Sequence, residues 1–186
     1  MRGIASRKQG SMKKNDKIAL VAIVAVVAVI AGAGVAIMVT GGHSGPSIHS
    51  GDFIVYTIAG VDAASNPISA SMRVTFLNVT AAGCDAKTEY TGLNISTSWQ
   101  HITGTSSFSG TADLGTKTQT DSTLVTVYGE KRVDVYVMSL SAGTMTTYAG
   151  ANPLVPYKME FSGNGAFMTF SIGPTNIDLV KTSNAA

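Results

Sequence analysis

EKRVDVYVMSL, residues 130–140, alternates apolar and polar side chains. Val133, Val135 and Val137 fall on one side and Arg132, Asp134 and Tyr136 on the other, the pattern of an antiparallel strand with one face buried and one face wet. Asp134 then reads as a solvated carboxylate on the outer face. Just upstream, STLVTVY (122–128) supplies a partner strand, and Gly129-Glu130 between the two predicts a tight turn.

The same texture extends outward in both directions. TMTTYAG (144–150), PYKMEFSG (156–163), GAFMTFSI (165–172) and NIDLVK (176–181) read as further strands. Gly163-Asn164-Gly165 joins two of them, and Gly and Asn tolerate the positive φ that a two-residue hairpin turn demands. On the N-terminal side, DFIVYTIA (52–59) is apolar on both faces, and SMRVTFLNV (71–79) places Met72, Val74 and Phe76 on one face. Residues 96–123 are rich in Ser and Thr, with Trp99, Ile102, Phe108 and Leu114 as sparse apolar anchors. Those anchors favour polar strands joined by turns over one long loop, and the large apolar area of Trp99 predicts packing against the sheet. Gly, Thr, Ser and β-branched residues dominate after residue 50, and no useful helical period is found there. The fold class predicted is mainly β: an antiparallel sandwich or half-barrel of about nine or ten strands.

A different physical regime precedes it. In KKNDKIALVAIVAVVAVIAGAGVAIMV (13–39), residues 18–39 carry no charge. A helix of that length rises about 33 Å, enough for a hydrocarbon core of about 30 Å. An export-signal core runs to only about 7–15 residues, so length favours a transmembrane anchor, although Ala31-Gly32-Ala33 offers the small residues of a cleavage site. A pilin-like filament subunit is the third reading. A cut after Gly10 would leave the charged stretch Lys13–Lys17 at the head of the spine, which departs from the pilin pattern. Ala28, Gly32 and Ala36 recur at every fourth position, a small-residue stripe suited to helix–helix association.

Charge gives the orientation. Residues 1–17 hold six basic side chains and one acidic, whereas residues 40–186 hold seven basic and ten acidic. Cations beside a span stay cytoplasmic, so the N-terminus is expected inside and the remainder outside the cell membrane. The domain plan is a basic cytoplasmic stub (1–17), a transmembrane helix (18–39), a Gly/Ser/Pro linker (40–50), an extracytoplasmic β domain (51–180) and a tail (181–186). A mildly acidic body offers no basic face for nucleic acid, which excludes that class of partner.

One cysteine, Cys84, rules out an intrachain disulfide; with no cation beside it in sequence, it reads as a small buried apolar residue. Catalysis needs a nucleophile beside a base, paired carboxylates or a metal cluster, and the sequence assembles none of these. His101 has no identifiable acid partner, and His43 and His49 lie in the linker without further ligands at metal spacing. No cofactor and no metal site is expected. Asn78-Val79-Thr80 and Asn94-Ile95-Ser96 are glycosylation sequons, which makes Asn78 and Asn94 the modification candidates of an exported domain.

The apolar run, the Gly/Ser tether, GDFIVYTIAG and a strand-rich body ending in PYKMEFSGNG and TNIDLV together resemble single-pass surface proteins of archaea whose function is unassigned. The body also resembles half-barrel lipoprotein carriers, in which a strand of the PYKMEF kind leads into a final hairpin. These resemblances imply a location and an architecture, and no functional residue transfers through them. The function expected is that of a non-enzymatic, membrane-anchored surface domain acting in adhesion, envelope structure or binding of a protein or glycan. The alternative is a carrier or sensor of an apolar ligand, whose pocket Phe53, Val74, Phe76 and Phe170 would line.

Overall fold

In chain order the strands are β1 (Phe53–Val61), β2 (Pro67–Thr80), β3 (Gly83–Thr91), β4 (Ser98–Thr103), β5 (Thr116–Thr126), β6 (Gly129–Leu140), β7 (Gly143–Ala149), β8 (Pro156–Gly163) and β9 (Ala166–Thr175), followed by a short helix α1 (Asp178–Thr182). The structure is a computed structural model and describes residues 48–80, 83–103, 114–150 and 155–182. The expected span 18–39 and the stripe Ala28, Gly32 and Ala36 lie outside those residues. Among the described residues no helix is long and apolar enough to cross a membrane.

All nine strands form one open sheet in the order β4-β3-β2-β1-β9-β8-β7-β6-β5, and every neighbouring pair is antiparallel. The two facing sheets of a sandwich are therefore not what forms. β1 and β9 pair in the middle, Ile54 with Thr175 through to Val61 with Phe167, so the first and last strands are the centre of the sheet.

Alternation puts one face inside. Ile54, Tyr56 and Ile58 of β1, Met72, Val74 and Phe76 of β2, and Tyr157, Met159 and Phe161 of β8 are all at most 2% exposed. Covering each such side chain contributes about 1.5–3 kcal/mol. A single sheet buries a face only if something lies over it, and here the sheet curls across itself. Tyr56 reaches past β9 to donate to Pro156 O at the start of β8 (2.8 Å), and Tyr128 of the β5–β6 turn donates to Gly173 O of β9 (2.8 Å). α1 fills part of the remaining space: Val180 is fully buried, Tyr157 donates to Val180 O (3.2 Å), and Lys131 Nζ donates to Lys181 O (2.5 Å).

Local chemistry moves several boundaries from where the sequence put them. The β5–β6 turn is made by Val127 and Tyr128, because Thr126 Oγ1 accepts from Tyr128 N and donates to Gly129 O, while Gly129 takes φ 85° as the first residue of β6. The NIDLVK segment is not a strand. Thr175 Oγ1 accepts from Ile177 N and turns the chain, and Asp178 and Lys181 pair at 3.0 Å across the single turn of α1. The Asn164-Gly165 hairpin forms as expected, with φ of 50° and 80° and Gly163 facing Ala166.

Because the strands alternate in direction, the connections divide between two ends of the sheet. At the tether end β1 begins, β9 stops, and the β2–β3 and β5–β6 connections turn; the chain arrives there through buried Ile48 and through Gly51 N, which donates to Phe76 O (2.7 Å). The far end carries the β1–β2, β3–β4, β6–β7 and β8–β9 connections.

Candidate functional site

At the tether end, an apolar groove of about 280 Å³ opens between the tip of β5 and the starts and ends of β8 and β9. Leu124, Val125, Thr126 and Val127 form one wall, and Tyr157, Lys158, Ser171 and Ile172 form the other. Tyr128 fixes the geometry by holding two partners, Gly173 O as donor and Thr175 N as acceptor (3.0 Å). Val125 and Val127 stand on the outward side of this hairpin, 76% and 69% exposed. Below the groove, Lys131 is 1% exposed with its ammonium 5.8 Å from the Tyr157 ring, and loss of hydration lowers its pKa. Lys158 is held by Glu160 (2.6 Å) and lies over the Tyr148 ring.

A second group, polar, lies on the outer face of β2, β3 and β4. Register brings Asp85 opposite His101, with Asp85 Oδ1 2.6 Å from His101 Nδ1. Asn78 Nδ2 donates to the other carboxylate oxygen at 2.7 Å, from a backbone at φ 51° where β2 breaks register with β3. The bond to His101, and then the one from Asn78, hold the Asp85 carboxyl below its usual range. His101 thus has the acid partner that its sequence neighbourhood does not reveal, sixteen residues upstream and one strand across. The neighbouring Cys84 points into the core at 1% exposure, and burial, reinforced by Asp85, pushes its thiol up to about 11, well away from a reactive thiolate. Ser50 Oγ accepts from Asn78 N, and Thr80 Oγ1 donates to Gly83 O. The arrangement is an exposed, hydrogen-bonded histidine–carboxylate pair, and among the described residues no nucleophile is aligned with it.

On the opposite edge, Asp134 is only 8% exposed and accepts from Lys117 Nζ (2.7 Å) and Asp121 N (3.1 Å), with Arg132 bound in turn to Asp121 (2.6 Å). It is a structural carboxylate under the bulged part of β5 and not a solvated one. Trp99 also departs from expectation: it sits on the outer face of the edge strand at 62% exposure, with Lys87 Nζ 5.9 Å from its ring.

The four residues expected to line a ligand pocket do not share one space. Val74, Phe76 and Phe170 lie in the packed interior at 1% exposure or less, whereas Phe53 lies on the other face beneath the Arg73 guanidinium, 3.9 Å from its ring. The groove uses other residues. Asn94 is exposed in the β3–β4 connection at the far end, where the register pair Val61 and Phe167 is also 38% and 44% exposed. His43 lies outside the described residues, while His49 is exposed and its backbone N donates to Asp52 Oδ2. Among the described residues no group of three or more metal-binding side chains converges.

No family model matches the sequence, and no curated protein matches it.

Proposed function

We propose that this chain is a single-pass, membrane-anchored surface domain that works by binding rather than catalysis, its N-terminus cytoplasmic and its β domain outside as a half-barrel. The observation that carries this reading is the uncharged run of residues 18–39, basic on one side only and separated by the eight residues 40–47 from Ile48, the first buried apolar side chain among the described residues. That run is long enough to cross a bilayer and too long for an ordinary signal core. The interior of the domain supports a scaffold role, since its inward side chains pack on one another. The far end supports partner binding, because Val61 and Phe167 are exposed there, at the end of the sheet that also carries the sequon-bearing β3–β4 connection. In this reading the partner is a protein or glycan met outside the cell.

Membrane fractions washed at alkaline pH, followed by N-terminal sequencing and protease treatment of intact cells, test it. Retention in the membrane with residues 1–17 intact and the β domain digested from outside is the expected result. A mature N-terminus after Gly10 would favour the filament subunit, and one after residue 33 a secreted product. Recovery in the soluble cytosol would end the proposal.

A second reading, a carrier of an apolar ligand, draws on the groove walled by Leu124, Val125, Tyr157 and Ile172. Its volume, about 280 Å³, lies at the small end of the range of ligand pockets, about 300–1,000 Å³. Lipid extracted stoichiometrically from a detergent-free domain would support it.

A further inference from the structure

We infer that the β5–β6 turn is a lip that rests on the lipid bilayer, with Val125 and Val127 immersed at the interface; this rests on the anchor reading proposed above. Four observations lead to it. Val125 and Val127, at 76% and 69%, are the most exposed of the large apolar side chains among the described residues. Two such neighbours at a turn are costly in water and gain by entering an apolar phase. They have no freedom to fold inward, because Leu124, Thr126 and Tyr128 already occupy the inner side and Tyr128 is bonded to both Gly173 and Thr175.

The third observation is position. The turn lies at the tether end, the same end at which the chain enters through Ile48 and Gly51. Residues 40–47 are all that separate it from the apolar run, and fully extended they span at most about 28 Å, so this end of the domain is confined near the membrane surface. Fourth, β6 continues from Asp134, its last partner with β7, to Gly129, and so carries the turn past the end of its pairing with β7. The flanking charges belong at the headgroup level: Glu130, directly opposite Val125, shares its face, and Arg132 and Lys158, paired with Asp121 and Glu160, carry long stems suited to an interface. Seating this lip would orient the domain with its far end, and the pair Val61 and Phe167, away from the membrane.

The test uses the full chain reconstituted in vesicles of phosphatidylcholine and phosphatidylglycerol whose acyl chains carry bromine. In a Trp99→Phe background, Val127→Trp introduces one indole at the lip; the unaltered chain, with Trp99 on β4, serves as the reference. The expected result is that the introduced indole loses most of its emission to the brominated chains and shifts to the blue, while Trp99 is unaffected. Flotation with vesicles but emission as unquenched as that of Trp99 overturns the lip and leaves the anchor intact. A blue shift without quenching assigns the lip to a protein surface, such as a second copy, and also overturns it. Failure to float removes the anchor and the lip together. A Val127→Cys variant carrying a spin label gives the same depth readout if the indole disturbs the turn, since Cys84 is too buried to take the label.

Discussion

Tyr128 in the β5–β6 turn donates its phenolic proton to Gly173 O, 2.8 Å away, although β8 and β7 lie between β9 and β6 in the sheet. A flat sheet cannot make this bond. It fastens the curl, and the Tyr128 phenolic oxygen in turn accepts from Thr175 N (3.0 Å).

Tyr128→Phe keeps the ring and deletes both bonds. Leaving Gly173 O and Thr175 N without that partner is expected to cost about 1–3 kcal/mol, read as a lowered urea midpoint at unchanged slope. Amide exchange at Thr175 is expected to accelerate more than at Met159, which lies in the packed centre. Equal acceleration at both would mean that the bond does not fasten the curl.

Acid should loosen the β5 side. Lys117, bonded to Asp134, holds the carboxyl below 3.8, and the bond from Asp121 N adds to this. A carboxyl whose folded pKa is depressed stabilises the fold fully above its unfolded value; that contribution is lost as pH falls through the lower folded value. Stability is therefore expected to decline as pH drops below about 3.8. Asp134→Asn should flatten that decline and cost about 1–3 kcal/mol at neutral pH, measured by urea unfolding across the range.

Thr147 is 1% exposed, and its hydroxyl finds no hydrogen-bond partner among the described residues. Valine has nearly the same shape and no polar atom to strand. Thr147→Val is expected to raise stability by about 1 kcal/mol, seen as a higher thermal midpoint; an unchanged or lower midpoint would reveal a partner for the hydroxyl.

The glycosylation proposal separates its two sequons. Asn78 Nδ2 is engaged by Asp85 at 2.7 Å in a left-handed backbone, while Asn94 lies exposed in a connection at the far end. In the native host, Asn94→Gln is expected to abolish the glycan mass and Asn78→Gln to leave it, as intact mass spectrometry would show. The reverse pattern would mean that modification precedes folding of β2.

Alternation made most strands legible. Val133 and Val135, Met72 and Phe76, and the Asn164-Gly165 turn all lie where period and turn chemistry put them, because one buried face and one two-residue turn are local properties. What was not legible depends on register between distant strands. His101 meets Asp85 only because β3 and β4 pair with Cys84 opposite Ile102, and Asp134 is covered only because β5 bulges over it. Trp99 misleads for the same reason: its size favours burial, but its strand stands at the border of the sheet, where the outer face has nothing to cover it. The segment from Asn176 onward carries apolar residues that fit a strand, yet no neighbouring edge remains once β9 is flanked on both sides, so it folds back as α1. The groove valines left a faint sign in STLVTVY, whose tip is apolar on both faces.

The two borders of the sheet differ in kind. β4 pairs with β3 in unbroken register, whereas β5 shifts register twice along β6 and bends at Asp121, φ 54°. Strand addition requires a straight acceptor, and a kinked one refuses it. Copies of this domain joining border to border would therefore consume their one receptive side in a pair and present only refractory margins to a third. Such an architecture resists runaway polymerisation.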